Sequence, residues 1–445
     1  MANRGKPLST VDSAWLRMDD PTNLMTITGV MTFEQKPEWS VLRETLLERF
    51  VCYERFRQRV EDPGTLLGSA RWIEDDFQLD DHLVRTELPG NADEAELKVL
   101  VSELMALPLA PGKPLWQLHF VENYRSGGAL VARIHHCIGD GLALVQVLLN
   151  MTDTRPKDDS PPAPIPLDPT MRNEAAHSLR GTSPKKRGTL EKSVRWLQAG
   201  SKAAWTLGEL AVLSADPKTI YRGPLGVTKK AVWSDAFSLD EVKQIGKTLG
   251  ATINDVLLSA LAGALRLYAE DRAAPVPRQV RAVVPVNLRR PDDRSLGNKF
   301  GLVFLPLPIG EGEAVSRLHA LKREMDALKR SPQAFVAFAV LQAIGATTAK
   351  IEEIVLKIFA KKATAVATNV PGPREPLYFC GTKVRSIMFW VPQAGRLGLG
   401  VSILSYAGTV RVGVATDVSL VPDPENLVAA YERALDELRQ AANRA

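Results

Sequence analysis

Histidine and cysteine are scarce in this chain: six of the first and three of the second among 445 residues. Cys52, Cys137 and Cys380 are too few and too scattered for a disulfide framework, and their spacing offers no zinc ligand set. The first ten residues, M-A-N-R-G-K-P-L-S-T, lack the apolar core of a secretory signal. Both features point to a reducing cytoplasm. Charge of one sign is not in large excess either. A net +5 allows attraction to phosphates or an anionic bilayer, but it lacks the dense basic face of a nucleic-acid binder, so no nucleic-acid partner is expected. The longest charge-free stretch is 331–349, which holds two Gln and two Thr. That is weaker than a spanning helix of about 20 strongly apolar residues, and it reads as a buried or membrane-touching helix.

What is present is an ordinary globular mixture, 45% apolar and 24% charged, enough for a sizeable core. Length alone suggests two or three domains. The clearest break is 152–189, where Pro, Asp, Ser and Lys dominate and neither helix nor inner strand is expected. It divides an N-terminal half, 1–151, from a C-terminal half, 190–445. Both halves mix strand and helix patterns, giving an α/β class, and no sequence repeat relates them. In the first, T-N-L-M-T-I-T-G-V-M-T-F alternates like a strand, and D-E-A-E-L-K-V-L-V-S-E-L-M-A reads as a helix capped by Asp93 or Asn91. W-Q-L-H-F-V-E-N-Y and A-L-V-A-R-I-H-H flank an S-G-G turn as a hairpin. In the second, a basic amphipathic stretch from Leu190 suits an anionic bilayer or the cap of a core. Ser238 with Glu241 suggests a capping box, Gly250 a helix stop, and 251–269 a buried, nearly all-apolar helix.

Against that scarcity, 131–141 reads V-A-R-I-H-H-C-I-G-D-G, with two of the six histidines adjacent. A metal needs three or four ligands, and adjacent strand residues point to opposite faces, so His135 and His136 do not hold one ion easily unless the strand has already ended. The same alternation turns Cys137 away from His136, against a Cys–His nucleophile pair. A pair of satisfied core histidines is the bland alternative. A general base needs one imidazole facing a cavity and its neighbour packed behind, and a strand end running into a G-D-G turn suits that division. Asp140 either orients the base or ties the turn through an arginine; the spacing does not choose.

H-H-C-I-G-D-G matches the H-H-x-x-x-D-G motif of chloramphenicol acetyltransferase-like acyltransferases, a superfamily that includes peptide-synthetase condensation domains. P-L-W at 114–116, A-T-I-N-D-V at 251–256, T-N-V-P-G-P at 368–373 and G-V-S-I-L-S-Y-A-G-T-V at 400–410 narrow it. In this order, and from L-S-T-V-D-S-A-W-L at Leu8 to the last helix, the chain resembles the bacterial wax ester synthase/acyl-CoA:diacylglycerol acyltransferase family. The resemblance implies two acetyltransferase-like domains of mixed sheets flanked by helices, with an active-site tunnel between them. It implies His136 as general base, His135 as its support, and Asp140 as a structural, orienting residue paired with Arg289. Gly141 and Asp255 would be structural, and Asn254 a possible oxyanion or substrate contact. Trp116, Asn369, Ser402, Ser405 and Tyr406 are candidates along the tunnel. Gln117 stands where the family often has Glu, which puts a charged role there in doubt.

The implied reaction moves a long-chain acyl group from acyl-CoA to a fatty alcohol or diacylglycerol without an acyl-enzyme. The absence of a G-x-S-x-G nucleophile elbow agrees with that. No metal and no cofactor is implied, acyl-CoA being a substrate. The expected location is cytoplasmic, peripheral to the inner membrane or to lipid droplets; nothing in the sequence sets an oligomeric state. A condensation-type enzyme using carrier-protein thioesters and a non-catalytic lipid-binding protein are the alternatives. The first is weakened by the absence of a D-S-L carrier motif, the second by the intact H-H-x-x-x-D-G.

Overall fold

The computed structural model describes residues 5–62, 70–156, 213–289, 296–345, 360–393 and 397–445. The proline-rich crossover and the basic stretch from Leu190 fall almost wholly outside these described residues. In chain order the first half forms β1 (Lys6–Pro7), α1 (Thr10–Arg17), β2 (Thr26–Phe33), α2 (Trp39–Arg49), β3 (Gln58–Glu61), β4 (Arg71–Glu74), β5 (Leu83–Thr86), α3 (Glu94–Ala106), β6 (Trp116–Val121), β7 (Ala129–His135) and α4 (Gly141–Met151). The second forms β8 (Lys229–Trp233), β9 (Phe237–Ser238), α5 (Leu239–Thr248), α6 (Ile253–Glu270), β10 (Val280–Asn287), β11 (Phe300–Leu307), α7 (Ala314–Lys329), α8 (Gln333–Gly345), β12 (Ala365–Pro371), β13 (Tyr378–Phe379), β14 (Thr382–Trp390), β15 (Leu399–Tyr406), β16 (Thr409–Asp417) and α9 (Pro424–Arg444).

The local signals act as expected at most ends. Asp93 caps α3 in a full capping box with Glu96, and Gly250 takes a left-handed φ of +68° after α5. Ser238 caps α5, but Glu241 does not close the box; its carboxylate instead binds Arg439 of α9.

Two mixed sheets carry the fold. The first runs β13-β14-β2-β7-β6-β5 and the second β11-β10-β12-β15-β16-β8, with β9 also on β16. The first sheet therefore takes two strands from the second half of the chain. β14 pairs antiparallel to β2, with Trp390 opposite Thr28 and Met388 opposite Val30. Sheet membership does not follow the division at 152–189. The reason is burial: seven of the eight residues of β2 are buried, so it needs a hydrogen-bonding neighbour on both edges.

One face of the first sheet packs Trp116, Phe120, Leu130 and Ile134 against neighbouring helices. The other packs Val30, Val131, Met388 and Trp390 against α3 and against Ala231, Trp233, Leu404 and Ala415 of the second sheet. This joint needs a bare backbone at Gly413, where a Cβ would stand 2.6 Å from Met388 Cε and 2.8 Å from Trp390 Nε1. The far face of the second sheet is covered by α6, buried from Asp255 to Leu265 without a break, and by α9.

The charge-free stretch forms α8, which lies on β11 so closely that a Cβ on Gly301 would collide with the Ala334 carbonyl. Ala334, Val336 and Leu341 are buried while Phe335 is 49% exposed. Among the described residues no single helix is long and apolar enough to cross a membrane. α5 and α6 reach that length only together, across a 93° bend, and α6 is core.

β8 is fastened to β16 by a buried pair, Lys229 Nζ donating to Asp417 Oδ2 at 2.6 Å, and Asp417 also accepts from the Gly226 N–H at 2.9 Å. Lys229→Ala leaves a fully buried carboxylate without its cation. Stability should fall by about 3–5 kcal/mol, seen as a lower thermal midpoint; an unchanged midpoint would show that the pair does not hold the sheet edge.

Candidate active site

β7 ends at His135, and this decides how the histidine pair divides. His135 lies opposite Thr26 in the strand register. Its Nδ1 lies 3.2 Å from the Cys137 backbone nitrogen, and its Nε2 is 3.7 Å from Asp19 Oδ1. His136 has left the strand and donates its backbone N–H to Met25 at 2.7 Å. Its ring stacks on Trp15 at 4.0 Å with planes 14° apart, and Phe300 lies at 5.7 Å. Nδ1 is buried without a partner. Burial pushes the imidazole down to about 4, against the pull of Asp140, its own carbonyl and Asn298. The ring is therefore neutral, and able to accept a proton, above about pH 5.

Asp140 is the N-cap of α4, its Oδ1 accepting the Ala143 N–H at 2.9 Å. Its Oδ2 accepts from Arg289 Nη2 at 2.8 Å and from the Lys299 N–H at 2.9 Å. Arg289 also donates to the Gly297 carbonyl. Gly297, at φ +105°, pairs with Gly139 and donates to the Ile138 carbonyl at 3.1 Å. The turn is thus locked to residues of the other half.

His136, Asp140 and Trp15 border a cavity of about 980 Å³ whose walls come from both halves of the chain. Leu257, Leu258, Val303 and Val366 give it apolar lining. Asn254 and Asn369 also face it, joined by a hydrogen bond of 2.5 Å from Asn369 Nδ2 to Asn254 Oδ1. Lys243, Lys329 and Arg374 border it too.

A family model described as the wax ester synthase/diacylglycerol acyltransferase catalytic domain matches residues 8–257, and the C-terminal domain model of the same family matches 296–439. The chain belongs to this family. It is an acyltransferase, acting from acyl-CoA. Its relatives include the probable diacylglycerol O-acyltransferases tgs1 and tgs2 of Mycobacterium tuberculosis. They are 28% and 27% identical over 97% of this chain, covering 95% and 98% of theirs. The solved wax ester synthase/diacylglycerol acyltransferase of Marinobacter aquaeolei VT8 superposes with a TM-score of 0.72 at 22% identity, covering 98% of this chain and 100% of that one. The starter condensation domain of rhizomide synthetase superposes at 0.60 and 14% identity over 99% and 94%, a likeness of fold alone.

Within this acyltransferase the structure gathers His136, Asp140, Gly141, Asn254, Asn369, Ser405 and Tyr406 on one cavity. Arg289 reaches it through Asp140. Asp255 is structural, closing the capping box of α6 with Thr252, which leaves Asn254 uninvolved in capping. Two tunnel candidates do not fit. Trp116 is 1% exposed, donates Nε1 to the Phe56 carbonyl at 2.8 Å and packs on Phe50 and His82, away from the cavity. Ser402 is buried in mid-strand, where its hydroxyl accepts from Thr368 at 3.2 Å. Tyr406 borders the cavity, but its hydroxyl is committed to Leu377 N and the Val384 carbonyl.

Sequence reasoning did not single out Trp15, Asp12, Arg55, Asn298 or Phe300. The one available signal was the L-S-T-V-D-S-A-W-L run, which carries Asp12 and Trp15 three residues apart, one turn of helix.

The neutral His136 has a consequence for acid stability. Unfolded, it binds a proton below about 6.5; folded, only below about 4. Between those values the unfolded state holds more protons, so His136's contribution is complete above 6.5 and is lost as pH falls toward 4. His136→Gln should therefore lose less stability than wild type over this window, by on the order of 3 kcal/mol. Thermal midpoints measured across the window check this, and parallel curves for the two proteins would refute it.

Proposed function

We propose that His136 is the general base of direct acyl transfer from long-chain acyl-CoA to the hydroxyl of diacylglycerol or a fatty alcohol. The observation that carries this is a neutral, stacked imidazole on the border of a large, mostly apolar cavity shared by both halves. With Nδ1 buried, Nε2 is the nitrogen that takes the proton. The hydroxyl oxygen then bonds to the thioester carbonyl carbon, giving a tetrahedral oxyanion. The free Nδ2 hydrogens of the Asn254–Asn369 pair are the donors offered to it. Collapse breaks the C–S bond, the ester leaves, and the CoA thiolate takes the proton back from imidazolium. Protons balance without a metal or a covalent intermediate. Lys243, Lys329 and Arg374, which border the cavity, are the cations proposed to meet the phosphates of CoA. The names of the tgs1 and tgs2 relatives support diacylglycerol as an acceptor.

Purified protein with palmitoyl-CoA and either hexadecanol or dioleoylglycerol should release free thiol. His136→Ala should lower turnover by about a thousandfold, and His135→Ala by less. Wild-type turnover in His136→Ala would end the base assignment, and the ratio of rates on the two acceptors sets the preferred product.

The protein also docks peripherally on a lipid surface through α8, whose Phe335 is half exposed and whose Ala334 and Phe335 border the cavity. It should float with anionic phospholipid vesicles and stay partly bound at raised salt. Phe335→Glu should weaken flotation about tenfold; equal flotation of the two proteins would exclude this helix.

A further inference from the structure

The reaction scheme uses no residue of α1, yet two of its side chains reach the histidine turn. Trp15, 3% exposed, lies flat against the His136 ring at 4.0 Å. Asp12, one turn earlier and 1% exposed, faces the same region from the same side of the helix. Its Oδ2 accepts from Arg55 Nη2 at 3.1 Å, and its Oδ1 from Asn298 Nδ2 at 2.8 Å and the Asn298 N–H at 3.2 Å. Those two partners hold the turn. Asn298 Nδ2 donates to the His136 carbonyl at 2.8 Å, and Arg55 Nη1 to the carbonyls of Cys137 at 3.2 Å and Ile138 at 2.8 Å. Three consecutive carbonyls are thus tied to donors that one carboxylate orients. Asp12 is itself fixed, because its N–H donates to the N-cap Ser9 hydroxyl at 3.0 Å.

We propose that Trp15 and Asp12 are positioning residues for the acyl transfer: Trp15 sets the plane and the dry surroundings of the His136 ring, and Asp12, through Arg55 and Asn298, sets its backbone. The inference rests on His136 being the base. A nucleophilic hydroxyl, a thioester carbon and Nε2 must meet within tenths of an ångström, and a ring carried on a loose turn after a strand end would not supply that. The face of Trp15 also excludes water from one side of the imidazole. Charged or titratable groups around the ring are His135, Asp140 with Arg289, and Asp12 with Arg55. Trp15 substitutions leave these groups in place, so a change in the ring's titration reports the lost stacking.

The test compares Trp15→Leu, Trp15→Phe and Asp12→Asn in the full chain by thiol release with palmitoyl-CoA and dioleoylglycerol, alongside histidine NMR. Trp15→Leu should lower kcat about tenfold or more, with KM for palmitoyl-CoA within about twofold. It should also move the His136 titration, and the acid limb of kcat/KM, from about 4 toward the ordinary 6.5. Trp15→Phe, which keeps a flat ring, should restore most of the lost kcat and return the limb. Asp12→Asn should lower kcat about tenfold with KM unchanged, leaving the limb in place.

The proposal is overturned if Trp15→Leu raises KM alone, as a plain wall residue would, or lowers kcat with no change in titration and no rescue by Phe. Should Trp15→Leu fail to fold, wild-type kcat in Asp12→Asn still overturns it. Turnover surviving in His136→Ala would sink the base assignment itself, and this inference with it. An inactive His136→Ala beside unaffected Trp15 and Asp12 variants would sink this inference alone.

Discussion

Two oxygens of one carboxylate tie this enzyme together. Asp140 Oδ1 starts α4 by capping Ala143, while Oδ2 holds Arg289 and the Lys299 N–H from the other half of the chain. Helix start, histidine turn and second-half loop therefore share a single fixed point. Such a pair adds little net stability when weighed against an apolar substitute, since both ions lose their water. What it supplies is a fixed link, Asp140 of the first half held by Arg289 and the Lys299 N–H of the second. The bridge between Gly139 and Gly297 repeats the constraint on the main chain, and glycine at 297 supplies the positive φ that lets the loop come in so close.

The same pairing bears on the protonation of His136. A free carboxylate beside a buried imidazole would favour imidazolium and spoil it as a proton acceptor. Here the charge of Asp140 is met by Arg289, and burial decides the balance, leaving His136 neutral. The aspartate therefore acts on the turn rather than as a relay on the ring. Its oxygens are already occupied by a helix N–H, a backbone N–H and a guanidinium.

How much of this is legible in the sequence depends on distance along the chain. The H-H-x-x-x-D-G turn, the caps of α3 and α5 and the buried α6 are local, and local pattern reveals them. Alternation within a strand is not what separates His135 from His136: β7 ends at His135, and His136 already belongs to the turn. Alternation does separate Ser402 from Ser405, three positions apart on β15. Only the second lies at the strand end where the cavity opens. The contacts of Asp12 with Asn298 and of β14 with β2 join residues 286 and more than 350 positions apart and leave no periodic mark. They follow from burial: an acid at 1% exposure must find donors, and a strand buried on both faces must find two neighbours, wherever in the sequence those lie. Trp116 misled for the opposite reason. A large aromatic beside a recognised motif suggests a tunnel wall, but its strand face points into the core beneath α2.

Gln117, the departure from the family pattern, has a physical role that requires no charge. Its Oε1 accepts from Arg133 Nη1 at 2.9 Å, and Arg133 also donates to the Leu107 carbonyl. Among the described residues no carboxylate pairs with this buried arginine, and burial lowers it to about 10. A neutral amide suffices because Arg133 sits on a strand face away from the cavity and serves the sheet, satisfying a neighbouring loop carbonyl. The positive charge still has an effect at close range: burial and Arg133 together hold His119 down at about 4, neutral like His136. A glutamate at 117 would offset the arginine's share of that pressure on His119 and leave the effect of burial. It would leave untouched the Asp140–Arg289 lock beside His136, since Asp140 lies beyond the end of β7 and its partners come from the second half.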